Sequence, residues 1–161
     1  MEQYLSRRLF LGSSATAIVA LTFPLGSLAA AERFPTSKSP QQWRRILSRQ
    51  RYAVLREEKT EPPFSSPLDR EKRRGTYACA GCSLPVFSST AKYDSGTGWP
   101  SFYAPLRNAV GTRADNKLSF ERTEVHCRRC GGHFGHVFND GPKPTGKRYC
   151  LNGLALLFNP G

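Results

Sequence analysis

The placement of the cysteines restricts this chain more than any other feature. Cys79 and Cys82 form one C-x-x-C pair, Cys127 and Cys130 form a second after 44 intervening residues, and Cys150 stands alone. A C-x-x-C turn aims two sulfurs at one centre. Two such knuckles can close a tetrahedral thiolate site for zinc, which leaves no coordination position free for chemistry. Gly81 lies inside the first knuckle and Gly131-Gly132 follows the second, which suits the tight turns. A structural zinc contributes roughly 10–16 kcal/mol of coupled folding free energy in small metal domains, enough to decide whether a loop-rich domain folds. In an oxidising compartment four cysteines can instead make two disulfides, with three possible connectivities. The recurring short spacing favours zinc. The fifth thiol, Cys150, is then free to be a nucleophile.

The N-terminus reads as an export signal rather than as part of the fold. Ser6-Arg7-Arg8-Leu9-Phe10-Leu11 follows the twin-arginine pattern S-R-R-x-F-L-K, with Gly12 in place of the lysine. A mildly apolar stretch runs from Ala15 to Leu28, and Ala29-Ala30-Ala31 supplies an A-x-A-like cleavage site before Glu32. The competing reading is an uncleaved anchor, but Pro24, Gly26 and several Ser and Thr make this stretch short and weak for a membrane span. Residues 1–31 are therefore expected to be a cleaved signal, giving a periplasmic or otherwise exported protein with no stable span afterwards. The twin-arginine route carries proteins already folded, so a zinc site can be loaded before the chain meets oxidants.

The chain beyond residue 31 has the length of one ordinary domain. Residues 32–38 read as a flexible polar linker and residues 39–161 as the domain. Ser39-Pro40-Gln41-Gln42 is a helix start, with Ser39 as cap and Pro40 in the first position. Trp43, Ile46 and Leu47 make one apolar stripe, and the helix is expected to end near Gln50. Prolines at 62, 63 and 67 exclude regular structure there. From Gly75 onward the chain reads as short strands: Thr76 to Cys79, Pro85 to Ser88, Lys117 to Phe120, Thr123 to Cys127, His133 to Phe138 and Leu154 to Asn159. The class is mainly β, with one or two short N-terminal helices.

Two further segments carry chemistry. His133, His136, Phe138 and Asp140 crowd into ten residues, and Arg148 and Cys150 come closely after. A cysteine attacks as its thiolate. A nearby guanidinium or imidazolium favours that form, and a histidine or aspartic acid can protonate an oxygen that leaves. Spacing alone does not put His133, His136 and Asp140 on one strand face. The glycine-rich turn before Trp99 either presents the indole at a pocket wall or leads it into the core.

Taken in order, Glu61-Pro62-Pro63-Phe64, Ser95-Gly96-Thr97-Gly98-Trp99-Pro100-Ser101-Phe102, the two C-x-x-C pairs, His133-x-x-His136-Val137-Phe138 and Arg148-Tyr149-Cys150-Leu151-Asn152 resemble the B-type methionine sulfoxide reductases. The resemblance runs from about Ser39 to Pro160. It implies a β-rich, tent-like core of two antiparallel β-sheets with short N-terminal helices. It also implies one structural zinc on Cys79, Cys82, Cys127 and Cys130, remote from the active centre. Cys150 would attack the sulfoxide sulfur. His133, His136, Asp140, Arg148 and Asn152 would position the substrate oxygen and supply protons. Trp99 would hold the methyl group, with Phe138 as a second substrate-binding residue. The R epimer is implied by the resemblance alone. Many members carry a resolving cysteine where this chain has Thr97. The expected cysteine sulfenic acid on Cys150 would then be reduced by an external thiol, such as a thioredoxin-like protein. Asn139 stands where the family has proline, which is expected to loosen the turn before Asp140.

The implied partners are an oxidised protein or peptide and an external thiol reductant, with a monomer as the expected state. The formal charge of +12, of which all but one unit lies beyond residue 31, raises a rival reading. In that reading the chain is a zinc-ribbon module whose basic surface binds nucleic acid or anionic surfaces. It leaves Cys150, the His-Asp cluster and the export signal without a purpose, and no nucleic-acid partner is expected.

Overall fold

Local hydrogen bonding decides where the first helices begin and end. In the computed structural model, which describes residues 32–117 and 121–161, Ser39 starts α1 (Pro40–Ile46) with a capping box. The Gln42 N–H donates to Ser39 Oγ (3.2 Å) and Gln42 Oε1 accepts from the Ser39 N–H (2.8 Å). Leu47 is extended, so α1 stops before the expected Gln50. Ser48 then caps a second helix, α2 (Arg49–Glu57), by accepting from the Arg51 N–H at 3.2 Å. The break also splits the expected apolar stripe. Trp43 and Leu47 are buried, but Ile46 is 57% exposed. α2 buries Val54 and Leu55, and it lies over the strand that begins at His133.

Nine strands come next among the described residues: β1 (Gly75–Cys79), β2 (Pro85–Ser88), β3 (Lys92–Tyr93), β4 (Ser101–Phe102), β5 (Val110–Asp115), β6 (Arg122–Cys127), β7 (His133–Phe138), β8 (Arg148–Leu151) and β9 (Leu156–Pro160). They form two antiparallel sheets, a small one ordered β2-β1-β9 and a larger one ordered β3-β4-β8-β7-β6-β5. Mainly β with two sheets and short N-terminal helices is thus the observed class. The sheets meet through aromatic rings. Tyr77 of β1 packs edge-on against Phe102 of β4 at 4.9 Å, and Phe87 of β2 lies 4.6 Å from the same ring. Phe134, Leu151, Val125 and Leu156 complete the buried core.

Several boundaries differ from the sequence reading. Of the strand expected at Lys117 to Phe120, only Lys117, in a bend, is among the described residues, since 118–120 fall outside them; a strand not expected from the sequence, β5, runs over Val110–Asp115. The last strand starts at Leu156 rather than Leu154, because Gly153–Ala155 form a single 3-10 turn. The 32–38 stretch has neither helix nor strand, but the Thr36 N–H donates to the Arg129 carbonyl (2.8 Å) and the Phe34 ring stands edge-on to His126 at 5.6 Å. The proposed signal, residues 1–31, lies outside the described residues. Among the described residues no helix is long and apolar enough to cross a membrane.

One glycine sets the spacing of the two central strands. Gly135 of β7 has φ +154°, and a β-carbon there would overlap the Cys150 carbonyl oxygen of β8. Gly135→Ala is expected to destabilise the domain by about 2 kcal/mol or more through overpacking. Urea unfolding checks this, and an unchanged midpoint would contradict the close approach.

Candidate functional site

The four paired cysteines come together at one point. Cys79 ends β1 and Cys127 ends β6, so each C-x-x-C turn leaves a different sheet. The sulfurs of Cys79 and Cys130 lie 3.7 Å apart and those of Cys82 and Cys127 lie 3.5 Å apart, and all four fall within 4.8 Å of one another. Zinc–sulfur bonds of about 2.3 Å give tetrahedral edges of about 3.8 Å, and these separations match them. They are far longer than a disulfide bond, and all five cysteines are free thiols. The donor set and spacing fit a closed thiolate metal site. Arginines brace its carbonyls: Arg129 Nη1 donates to Cys82 O (3.1 Å) and Arg56 Nη1 to Cys130 O (2.9 Å).

Cys150 lies apart from that cluster, half-buried in the middle of β8. Strand pairing explains its neighbours. Cys150 is opposite Ser101 on one side and His136 on the other; His136 is opposite Glu124, and Glu124 is opposite Arg113. Residues directly paired across strands share a face, so one row of chemically capable side chains crosses five strands. His133, three residues before His136, would point away on a regular strand. A bulge in β7, where the register shifts between Val125 and His126, turns it back. The two imidazole rings end 5.5 Å apart.

Both of these histidines are held by carboxylates. His133 Nδ1 lies 2.7 Å from Glu124 Oε1, and His136 Nε2 lies 2.7 Å from Asp115 Oδ2. A carboxylate only accepts, so both ring nitrogens donate. The bond to His136 holds the Asp115 carboxyl down to about 2. His136 itself is pushed below its ordinary value by burial, against the pull of Asp115. Burial raises Glu124, but His133 and Arg113 outweigh it and hold the carboxyl below its usual range. Neither acid stood out in the sequence, because each sits on a separate strand from its histidine, and only strand pairing brings them together. The alternation in Thr123 to Cys127 was the available signal for Glu124.

Arg148 holds Asp140 in a two-point contact, Nε to Oδ1 at 2.9 Å and Nη2 to Oδ2 at 2.8 Å, and its guanidinium lies 4.4 Å from the Phe138 ring centre. Asp140 is therefore occupied, and it is exposed. Asn139 accepts from Lys147 Nζ at 2.5 Å, which ties the loop at the position where the resemblance has proline. Burial pushes the Cys150 thiol up, while the Thr97 hydroxyl, Arg148 and Ser101 pull it back. Thr97 Oγ1 is 3.8 Å from Cys150 Sγ, in a hydroxyl chain with Ser95 and Ser101.

A cavity of about 140 Å³ opens onto Cys150, with Trp99, His136, Phe138, Arg122 and Thr60 around it. Trp99 is half-buried at this wall and not in the core. Two wider clefts, of about 730 and 740 Å³, contain no thiol and no histidine. His133 is only 2% exposed and stands behind His136, and it is not among the cavity's lining residues. Asn152 borders the cavity, but both ends of its amide are engaged. Its Oδ1 accepts from the Glu61 N–H (2.8 Å) and its Nδ2 donates to Phe134 O (2.9 Å).

The SelR domain family matches residues 47–160. The chain is 47% identical over 126 residues to the peptide methionine sulfoxide reductase MsrB of Leptospira interrogans, covering 78% of this chain and 96% of that protein. It is 54% identical over 124 residues to the protein of the same name from Bradyrhizobium diazoefficiens, covering 76% and 89%. The corresponding Pseudomonas putida protein is 50% identical over 125 residues, covering 76% and 93%.

Two measurements test this geometry. Cys82→Ser is expected to lower zinc content and thermal midpoint together; a full midpoint after the metal is stripped would contradict a structural cluster. Alkylation of Cys150, followed by mass spectrometry, should quicken as pH rises, with a midpoint above the ordinary thiol value. Arg148→Met should move that midpoint higher still, since the guanidinium favours the thiolate.

Proposed function

Because this chain belongs to the SelR domain family and is a peptide-methionine sulfoxide reductase of the B type, we propose that Cys150 is its nucleophile and that the small cavity receives the oxidised side chain. One observation carries the assignment. Cys150 is the single thiol outside the four-sulfur cluster, and it faces a cavity bordered by an indole, an imidazole and a phenyl ring. In this reading the Cys150 thiolate attacks the sulfoxide sulfur. That attack forms a sulfur–sulfur bond and the oxygen is protonated; the oxygen then passes to the Cys150 sulfur as the sulfur–oxygen and sulfur–sulfur bonds break, which releases methionine and leaves a sulfenic acid on Cys150. Negative charge builds on the substrate oxygen, so donors placed there lower the barrier.

His136 is well placed for this when its second ring nitrogen, Nδ1, carries a proton, since it lines the cavity, is paired across from Cys150 and has Nε2 fixed by Asp115. Arg148, anchored by Asp140, supplies a permanent positive charge beside the sulfur. Trp99 and Phe138 offer apolar surface to the methyl group. His133 and Asn152 support the site from behind, His133 beside His136 and Asn152 between Phe134 and Glu61. We assign the metal as zinc, on the four-thiolate set.

Regeneration falls to an external thiol: two equivalents convert the sulfenic acid to the thiol, releasing water and a disulfide. The other four cysteines are gathered in the metal cluster, and Thr97 is the side chain nearest the sulfur that the sequence offers in the glycine-rich turn. The reading extends to the R epimer, to protein-bound methionine as substrate and to export directed by residues 1–31. The binding-module alternative is not favoured, since family membership and the cavity both call for catalysis.

Cys150→Ser is expected to abolish reduction of methionine sulfoxide with a thiol reductant while zinc stays bound; normal turnover would remove Cys150 from its role. His136→Asn should lower kcat by roughly 10²-fold or more, the scale of a lost general acid. Assays on the separated epimers decide the stereochemistry.

A further inference from the structure

Glu61 belongs to a motif whose purpose the catalytic reading does not use. It is buried, 4% exposed, and every polar group it carries is engaged. Its carboxylate accepts from the Gly153 N–H (2.6 Å) and the Leu154 N–H (2.9 Å). Its backbone N–H donates to Asn152 Oδ1 (2.8 Å), and its carbonyl accepts the Trp99 indole N–H (3.0 Å). No Lys, Arg or His forms an ion pair with it among the described residues. A buried carboxylate without a cation is costly unless hydrogen bonds fill its lone pairs, and here two main-chain donors of one turn do so.

The rest of the motif fixes Glu61 in place. Pro62 and Pro63 have no N–H and cannot join a strand. The Phe64 N–H donates to Gly98 O (2.7 Å), and a β-carbon on Gly98, which has φ +85°, would lie 2.7 Å from Phe64 N. One end of the segment thus grips the residues just after Cys150, and the other grips the turn that ends in Trp99.

We propose that Glu61 is a positioning residue that sets the separation between the Trp99 ring and the Cys150 sulfur, and so the fit of the thioether methyl group. Its side chain locks the 153–155 turn, and its main chain then seats the indole. The inference rests on reading the small cavity as the sulfoxide site. It requires no contact between Glu61 and substrate, and Glu61 does not line that cavity.

The test uses the full-length, zinc-loaded protein with Glu61→Gln. A glutamine offers one carbonyl oxygen to two backbone donors, so one of the Gly153 and Leu154 N–H groups loses its acceptor. KM for methionine sulfoxide should rise about tenfold, the scale of one lost buried hydrogen bond, with kcat changed by less than about threefold. Zinc content and the rate of Cys150 alkylation should not move. In a Trp43→Phe background Trp99 is the only indole, and its emission should shift to the red in Glu61→Gln. Adding Trp99→Phe should make the Glu61→Gln effect on KM vanish, because the two act as one unit. An unchanged KM, fully additive effects, or a parallel fall in kcat, alkylation rate and zinc content would each overturn the proposal. Should Glu61→Gln not accumulate as folded protein, Glu61→Asp, with both acceptors on a shorter stem, carries the same comparison. If the unmodified protein fails to reduce methionine sulfoxide, the catalytic reading falls, and the Trp99 emission decides the positioning role by itself.

Discussion

The four-sulfur cluster is the constraint on which this fold depends. The two knuckles are the ends of strands in different sheets, so a metal held there ties the small sheet to the large one. Aromatic packing of Tyr77, Phe87 and Phe102 joins the sheets elsewhere, but the strands are short and much of the chain is loop. The arginines that brace the knuckle carbonyls, and the Phe34–Thr36 segment laid against the second knuckle, thicken the same corner. A rigid frame matters because the side chains gathered around Cys150 come from β4, β5, β6, β7 and β8 and from loops between them.

Within that frame the chemistry is arranged by sheet register. Antiparallel pairing lines up Ser101, Cys150, His136, Glu124 and Arg113 with no help from sequence proximity. The bulge in β7 adds His133 to the same face. Around Cys150 burial and positive charge oppose each other. Desolvation disfavours the thiolate, and Arg148 and Thr97 restore part of it.

Much of this was legible in the sequence, for reasons that differ by residue. The knuckles were readable because C-x-x-C spacing is a local signal that survives any fold. The capping box at Ser39 was readable for the same reason. The break at Leu47 was not, since Ser48 restarts a helix whose apolar positions are diluted by arginines. β5 was missed because Val110–Asp115 is an edge strand with little burial and no clear alternation. β3, β4 and β8 are too short to show a period. Glu124 and Asp115 gain their meaning only through strands that meet in space. The same holds for Asn152, whose amide proved to be spoken for by the main chain.

The recessed seat of Cys150 has a consequence for traffic. A space of about 140 Å³ holds roughly one side chain, so in the proposed cycle the oxidised side chain and the restoring thiol would enter as successive visitors. The first visitor has to depart before the second arrives. Abundant oxidised polypeptide would then delay its own repair by crowding out the restoring thiol.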